Sequence, residues 1–183
     1  MRLGDVRLEA LSDGEVWLDG AGMFGLMPKD EWQEIAEPDD QNRIRACLRC
    51  LLIETAQQRI LIDTGYGDKL SDREYAFVGL VGRRRLLGSL AERGVGFDEI
   101  DLVIHTHLHG DHCGGSTSDD ENGGLVATFP RAKYYVQRLE LAEAMFPNER
   151  TRATYHRQNF QPLEELGQIC VLWGDTRLTD EVR

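Results

Sequence analysis

The apolar residues of this chain fall in short runs bounded by Gly, Pro, Asn, Asp and Ser, and most of these runs have the length of strands. Residues 6–11 and 15–18 flank Ser12-Asp13-Gly14, a turn signature, which predicts an opening β-hairpin. Arg43–Glu54 and Arg59–Ile62, separated by Thr55-Ala56-Gln57-Gln58, predict an antiparallel pair. Leu102–Ile104 reads as a short buried strand, residues 125–129 and 133–137 as a strand pair around Pro130-Arg131, and residues 167–172 as a last strand. Helical spacing is found in two places. Residues 83–93 carry Leu86, Leu87 and Leu90 on one stripe and stop at Gly94, and Arg138–Met145 would turn Leu139, Leu141 and Ala142 inward. Residues 31–40 predict a short helix or loop ending at Pro38, residues 116–124 a mobile surface loop, and residues 148–160 a polar, partly helical stretch.

Composition narrows the class. A chain of 183 residues with 41% hydrophobic content can bury one core, so a single domain over 1–183 is expected. No run of apolar residues reaches the length of a membrane span or forms a signal peptide, which predicts a cytoplasmic protein with no membrane partner. The 21 basic and 32 acidic side chains leave a net charge of -11, a field that repels phosphate backbones, so no nucleic-acid partner is expected. Arg83-Arg84-Arg85 is the one local basic run, and it reads as the solvated face of the helix it opens.

Four cysteines raise a metal or disulfide reading that strand geometry removes. Cys47 and Cys50 lie three apart on a strand and would face opposite sides, so they are expected as separate buried strand residues. Cys170 sits in an apolar strand, and Cys113 is read as a small packed residue beside the stretch described next.

That stretch runs from residue 103 to 115. Of five histidines in the chain, His105, His107, His109 and His112 fall within eight positions, together with Asp111. His107 and His109, two apart on an extended segment, project to the same side and can share an ion. Gly110 allows a change of direction that swings Asp111 and His112 towards a neighbouring ion. Imidazole and carboxylate donors without thiolate suit zinc, with manganese or iron also possible, and two adjacent ions would hold a hydroxide between them.

At Thr106-His107-Leu108-His109-Gly110-Asp111-His112 the sequence resembles the metallo-β-lactamase superfamily, whose signature is Thr-His-x-His-x-Asp-His. The resemblance implies an α/β protein with a four-layer αββα sandwich. His107 and His109 would hold a first divalent ion, and Asp111 and His112 a second. Asp111 would also act in catalysis by directing the hydroxide. His105 falls on a position without a ligand role and reads as a packed strand residue, and His156 as a surface or boundary histidine. Asp63, followed by Thr64-Gly65 at a strand end, resembles the superfamily aspartate that sits behind the metal loop and orients it. The glycine-rich loop around Met23 and Phe24 resembles the early substrate-contacting loop of lactonase-like and organophosphate-hydrolase-like members, which makes those two residues candidates for an apolar substrate wall. Residues 67–82, polar with Tyr75, Phe77 and Leu80, could wrap the mouth of such a site.

The superfamily normally adds a further histidine, a bridging aspartate and a last histidine from its second half, and residues 113–183 offer no candidate for them. The expectation is therefore an N-terminal portion of a longer domain, truncated at the C-terminus. For the whole protein, a dinuclear hydrolase acting on a lactone, ester or organophosphate small molecule is the leading expectation. A glyoxalase-II-like thioesterase, an RNA-processing nuclease and a catalytically incomplete or non-enzymatic fragment are the alternatives.

Overall fold

In a computed structural model that describes residues 1–82 and 85–183, nine strands and seven short α-helices alternate along the chain. The strands are β1 (Arg2–Leu3), β2 (Val6–Asp19), β3 (Arg43–Glu54), β4 (Arg59–Ile62), β5 (Leu102–Ile104), β6 (Thr117–Asp119), β7 (Leu125–Ala127), β8 (Lys133–Gln137) and β9 (Ile169–Leu172). The helices are α1 (Gly20–Phe24), α2 (Lys29–Trp32), α3 (Asp72–Phe77), α4 (Arg85–Ala91), α5 (Gly110–Cys113), α6 (Arg138–Met145) and α7 (Gln161–Glu165). Arg83 and Arg84, where the expected helix and the arginine run begin, lie outside the described residues.

Seven strands form one mixed sheet in the order β1-β2-β3-β4-β5-β8-β9, antiparallel from β1 to β4 and parallel from β4 to β9. The central strands are apolar on both faces, the pattern of strands in a largely parallel sheet. On one face Cys50, Leu52, Leu61, Val103 and Tyr134 pack with Leu86 and Leu90 of α4 and Leu163 of α7. On the other, Ile53, Ile60 and Leu102 form a smaller cluster with the half-buried Leu51, Ile62, Ile104 and Tyr135, and Val182 packs against it. A fully buried leucine of this kind contributes about 1.5–3 kcal/mol, so the first face holds most of the stability.

The pair β3 and β4 forms with the expected bounds and orientation. Elsewhere the turn chemistry misleads. Ser12-Asp13-Gly14 does not close a hairpin: β2 runs straight through it, paired with β3 from Arg7↔Glu54 to Asp19↔Arg43, and the register shifts between Ser12 and Gly14. This is a bulge, with Gly14 at φ 119, and it drops Asp13 out of the ladder into the interior. The true opening hairpin is β1 with β2, around Gly4 and Asp5.

Residues 116–124 are likewise not a loop throughout. Thr117–Asp119 is β6, paired with β7, while β8 joins the main sheet beside β5 instead of pairing with residues 125–129. The physical reason is that β6 is polar, Thr-Ser-Asp with Thr117 buried, and so has the composition of a loop. Helix α6 has the expected bounds, but it turns Ala144, Leu141 and Met145 inward and leaves Leu139 and Ala142 exposed. Cys47 and Cys50 do face opposite sides of β3; Cys50 is buried and Cys47 exposed, so the expectation of two buried cysteines is half corrected.

Candidate metal centre

Strands β4 and β5 are parallel neighbours, and the chain leaves both at the same edge of the sheet. Crevices at the carboxyl ends of parallel strands are where open α/β sheets collect reactive side chains. Asp63 follows β4 and the histidine stretch follows β5, joined at the exit by Asp63 N–H donating to the Ile104 carbonyl at 3.0 Å.

Asp63 adopts φ 58, a left-handed conformation that an aspartate tolerates better than most residues. Its carboxylate accepts from Thr106 N–H at 2.9 Å and Thr106 Oγ1 at 2.7 Å, and lies 2.8 Å from His112 Nδ1. Burial raises the cost of its charge, but His105, His112 and Thr106 outweigh that and hold the carboxyl well below its usual range. The His112 imidazole is conversely raised, burial being overcome by Asp63 and Asp111. A proton fixed on Nδ1 by Asp63 leaves Nε2 as the lone-pair nitrogen, the arrangement in which a carboxylate prepares a histidine for a metal.

The other imidazoles close around the same point. The His107 ring centroid lies 3.9 Å from that of His112 and 4.5 Å from that of His109. One donor atom each from His107, Asp111 and His112 lie within 4.8 Å of one another. Burial and the neighbouring His112 and His109 lower the affinity of His107 for a proton, which favours the neutral, ligating form. The donor set thus fits a divalent ion of zinc type on chemistry and spacing. His109 stands beside this trio, with its ring 4.9 Å from Tyr155.

Glycine makes the loop possible by close approach. A Cβ on Gly114 would lie 2.2 Å from the Tyr66 carbonyl oxygen, and one on Gly115 would lie 2.3 Å from that of Thr64. Gly110 differs from expectation. It has no positive φ, and its need is space, because a Cβ there would lie 2.8 Å from His156 Cδ2.

Several supporting groups left no mark in the local sequence. Glu140 of α6 accepts from Leu108 N–H at 2.7 Å and from the Tyr155 hydroxyl at 3.1 Å, while Gly110 N–H donates to the Thr154 carbonyl at 2.9 Å. The 107–112 loop is therefore braced from the 154–156 side as well. His105 is buried as expected; its Nε2 lies 3.0 Å from Ser116 Oγ and its Nδ1 3.8 Å from Asp63, so it also backs the aspartate. Cys113 donates its thiol to the Leu108 carbonyl at 3.1 Å, and burial pushes its pKa up to about 12, which makes it a packed thiol.

A cavity of about 410 Å³ opens beside Asp111 and Gly110, walled by Tyr66, Leu70, Phe77, Val78 and Ala153, with Glu74 and His156 also in its lining. The 67–82 segment supplies much of this wall through α3, whose start is fixed by a capping box of Ser71 and Glu74. Met23 and Phe24 lie on α1; Phe24 stacks on Trp32 at 5.3 Å, Met23 is exposed, and neither lines this cavity.

Residues 49–159, more than half of the chain, match the Metallo-beta-lactamase superfamily. The chain belongs to that superfamily. Among the superfamily's curated members, an N-acyl homoserine lactonase of Bacillus cereus is 31% identical over 111 residues, which cover 54% of this chain and 44% of the relative. A metal-dependent hydrolase of Thermus thermophilus is 46% identical over 46 residues, 25% of this chain and 20% of the relative. Among solved structures, a probable metal-dependent hydrolase from Staphylococcus aureus superposes with a TM-score of 0.88 at 29% identity, over 98% of this chain and 63% of that one. A dizinc quorum-quenching lactonase, solved in complex with a product, shares the fold at a TM-score of 0.74 and 21% identity, over 97% of this chain and 62% of that one. The chain thus spans less than half the length of the curated relatives and under two thirds of the structural ones. The superfamily's α/β fold is present, with one layer as the seven-stranded sheet and a two-stranded piece, β6 and β7, as the second sheet among the described residues.

Proposed function

We propose that this protein is a metal-dependent hydrolase that opens lactones, with aryl esters and neutral organophosphates as related substrates. The observation that carries the reading is the convergence of His107, Asp111 and His112 donor atoms within 4.8 Å, with Asp63 holding His112 Nδ1. His107 and His109 would hold one divalent ion and Asp111 and His112 a second, zinc by donor type. When bound, such ions supply Lewis acidity that polarises a scissile carbonyl or phosphoryl group and makes water a nucleophile near neutral pH.

The chain's own residues have separate tasks. Asp111 accepts a hydrogen bond from the attacking water and directs its approach. Asp63 keeps His112 in the ligating tautomer. The apolar cavity beside Asp111 receives the acyl part of the substrate and excludes water from it. The exposed Met23 and the stacked Phe24 are proposed as a further apolar wall on the substrate's path. The lactonase name of the Bacillus relatives and their product-bound counterparts support this substrate class.

The test is hydrolysis by the purified full chain loaded with zinc. Ring opening of acyl homoserine lactones, with aryl esters cleaved more slowly, is expected. Cleavage of a thioester or a β-lactam with lactones and esters left intact would overturn the substrate class. Failure to retain zinc after gel filtration would overturn the metal reading itself.

A further inference from the structure

Asp13 has no place in the chemistry above, yet it is only 1% exposed. The bulge in β2 aims its carboxylate at a turn rather than at a ligand. Oδ2 accepts from Tyr66 N–H at 2.9 Å and Gly67 N–H at 3.2 Å, and Oδ1 accepts from Leu86 N–H at 3.0 Å. The turn it grips follows directly on Asp63. On its far side this turn is stitched to the ligand loop: Thr64 N–H donates to the His112 carbonyl at 2.7 Å and Gly115 N–H to the Gly65 carbonyl at 3.1 Å. The stack has no slack, because a Cβ on Gly65 would lie 2.2 Å from Asp13 Oδ2 and one on Gly67 would lie 2.7 Å from Gly115 Cα.

We infer that Asp13 is a positioning residue for the metal centre, clamping the 63–67 turn between β2 and the 112–115 segment so that Asp63 and His112 meet at a fixed distance. A carboxylate suits the task because it accepts on both oxygens at once, whereas an amide in the same place must turn its NH₂ towards one of the donors. Burial drives the Asp13 pKa up to about 6 against the pull of the Leu86, Gly67 and Tyr66 amides, so the site spends charge where a neutral residue would cost less. That cost is expected where geometry is being held. The clamp concerns the turn itself; its consequence for metal binding rests on the reading proposed above.

The experiment compares Asp13→Ala and Asp13→Asn with Leu163→Ala, a core variant on α7, in the full chain. Two readouts are taken: amide exchange at Thr64 and Gly115, and the visible absorption of Co²⁺ bound in place of zinc. Asp13→Ala is expected to speed exchange at both bridging amides by about tenfold or more beyond any general loss of stability. Asp13→Asn should give a smaller increase, and Leu163→Ala none beyond its global effect. The Co²⁺ spectrum should move in the Asp13 variants alone. If Asp13→Ala does not fold, the Asn variant decides. Bridging amides that exchange in the Asp13 variants as they do in Leu163→Ala would overturn the clamp. Wild-type protein that takes up no Co²⁺ would overturn the metal reading instead, while the exchange data would still decide whether Asp13 clamps the turn.

Discussion

The two ends of the same parallel strands gather charge in opposite ways. At the entry of β4 and β5, Arg59 meets Glu99 at 2.5 Å and Glu54 at 3.5 Å, and Arg131 meets Asp101 at 3.3 Å, around a polar cleft of about 310 Å³. At their exit, the basic groups beside Asp63 and Asp111 are imidazoles, and among the described residues no lysine or arginine pairs with either. Every carboxylate of the first cluster meets a guanidinium. The second leaves lone pairs converging without a counter-charge, which is the condition a cation satisfies. Cleft size alone would not separate the two, and charge compensation does.

The largest effect that would sharpen this contrast is at the exit. Asp111→Ala and His112→Ala should each weaken zinc binding by roughly 1000-fold, since each removes a first ligand from a small set; equilibrium competition with a chromophoric chelator measures it. Unchanged affinity would put the exit cluster in the same category as the entry one. Next, Asp63→Asn should weaken zinc by about 10–100-fold while leaving the chain folded, as expected for a residue that orients a ligand. Glu140→Ala follows, leaving the Leu108 amide and the Tyr155 hydroxyl without their acceptor; urea unfolding should show a loss of about 1–3 kcal/mol.

The smallest effect belongs to the entry. Glu99→Gln should leave zinc affinity unchanged and lower the urea midpoint slightly, less so at high salt. The sign of its pH dependence is fixed by the Gly96 amide and the Arg59 guanidinium, which hold Glu99 below its ordinary 4.5. Its contribution is present above that value and is lost as pH falls through the lower folded one. Destabilisation that grows with pH above 5 would contradict this.

The same contrast explains how much the sequence revealed. The exit cluster was legible because its donors are local: His107, His109, Asp111 and His112 lie within six positions, and Asp63 closes a strand with its neighbours Thr64 and Gly65. The strands that present them, Arg43–Glu54, Arg59–Ile62 and Leu102–Ile104, carry uninterrupted apolar or alternating runs. What escaped is non-local. Glu140 and Tyr155 reach the loop from residues 32 and 46 positions away from Leu108 and His109, and no spacing rule connects them. Ser12-Asp13-Gly14 escaped for a different reason, because a bulge and a tight turn both call on a glycine at positive φ and a small polar residue. His156 is half-buried, as a boundary histidine should be, but its place in the cavity lining depends on how residues 154–156 fold back over Gly110.

The bare backbones at Gly114 and Gly115 carry a consequence for how such a protein can vary. With Tyr66 and Thr64 carbonyls where side chains would be, the approach of the 64–66 turn to the 114–115 backbone admits no side chain at either glycine. Leu70, Phe77 and Ala153 border open space instead, so their sizes can be exchanged without disturbing that approach. Changes of side-chain size are therefore open to the cavity wall, while the glycine backbone stacked behind it admits none.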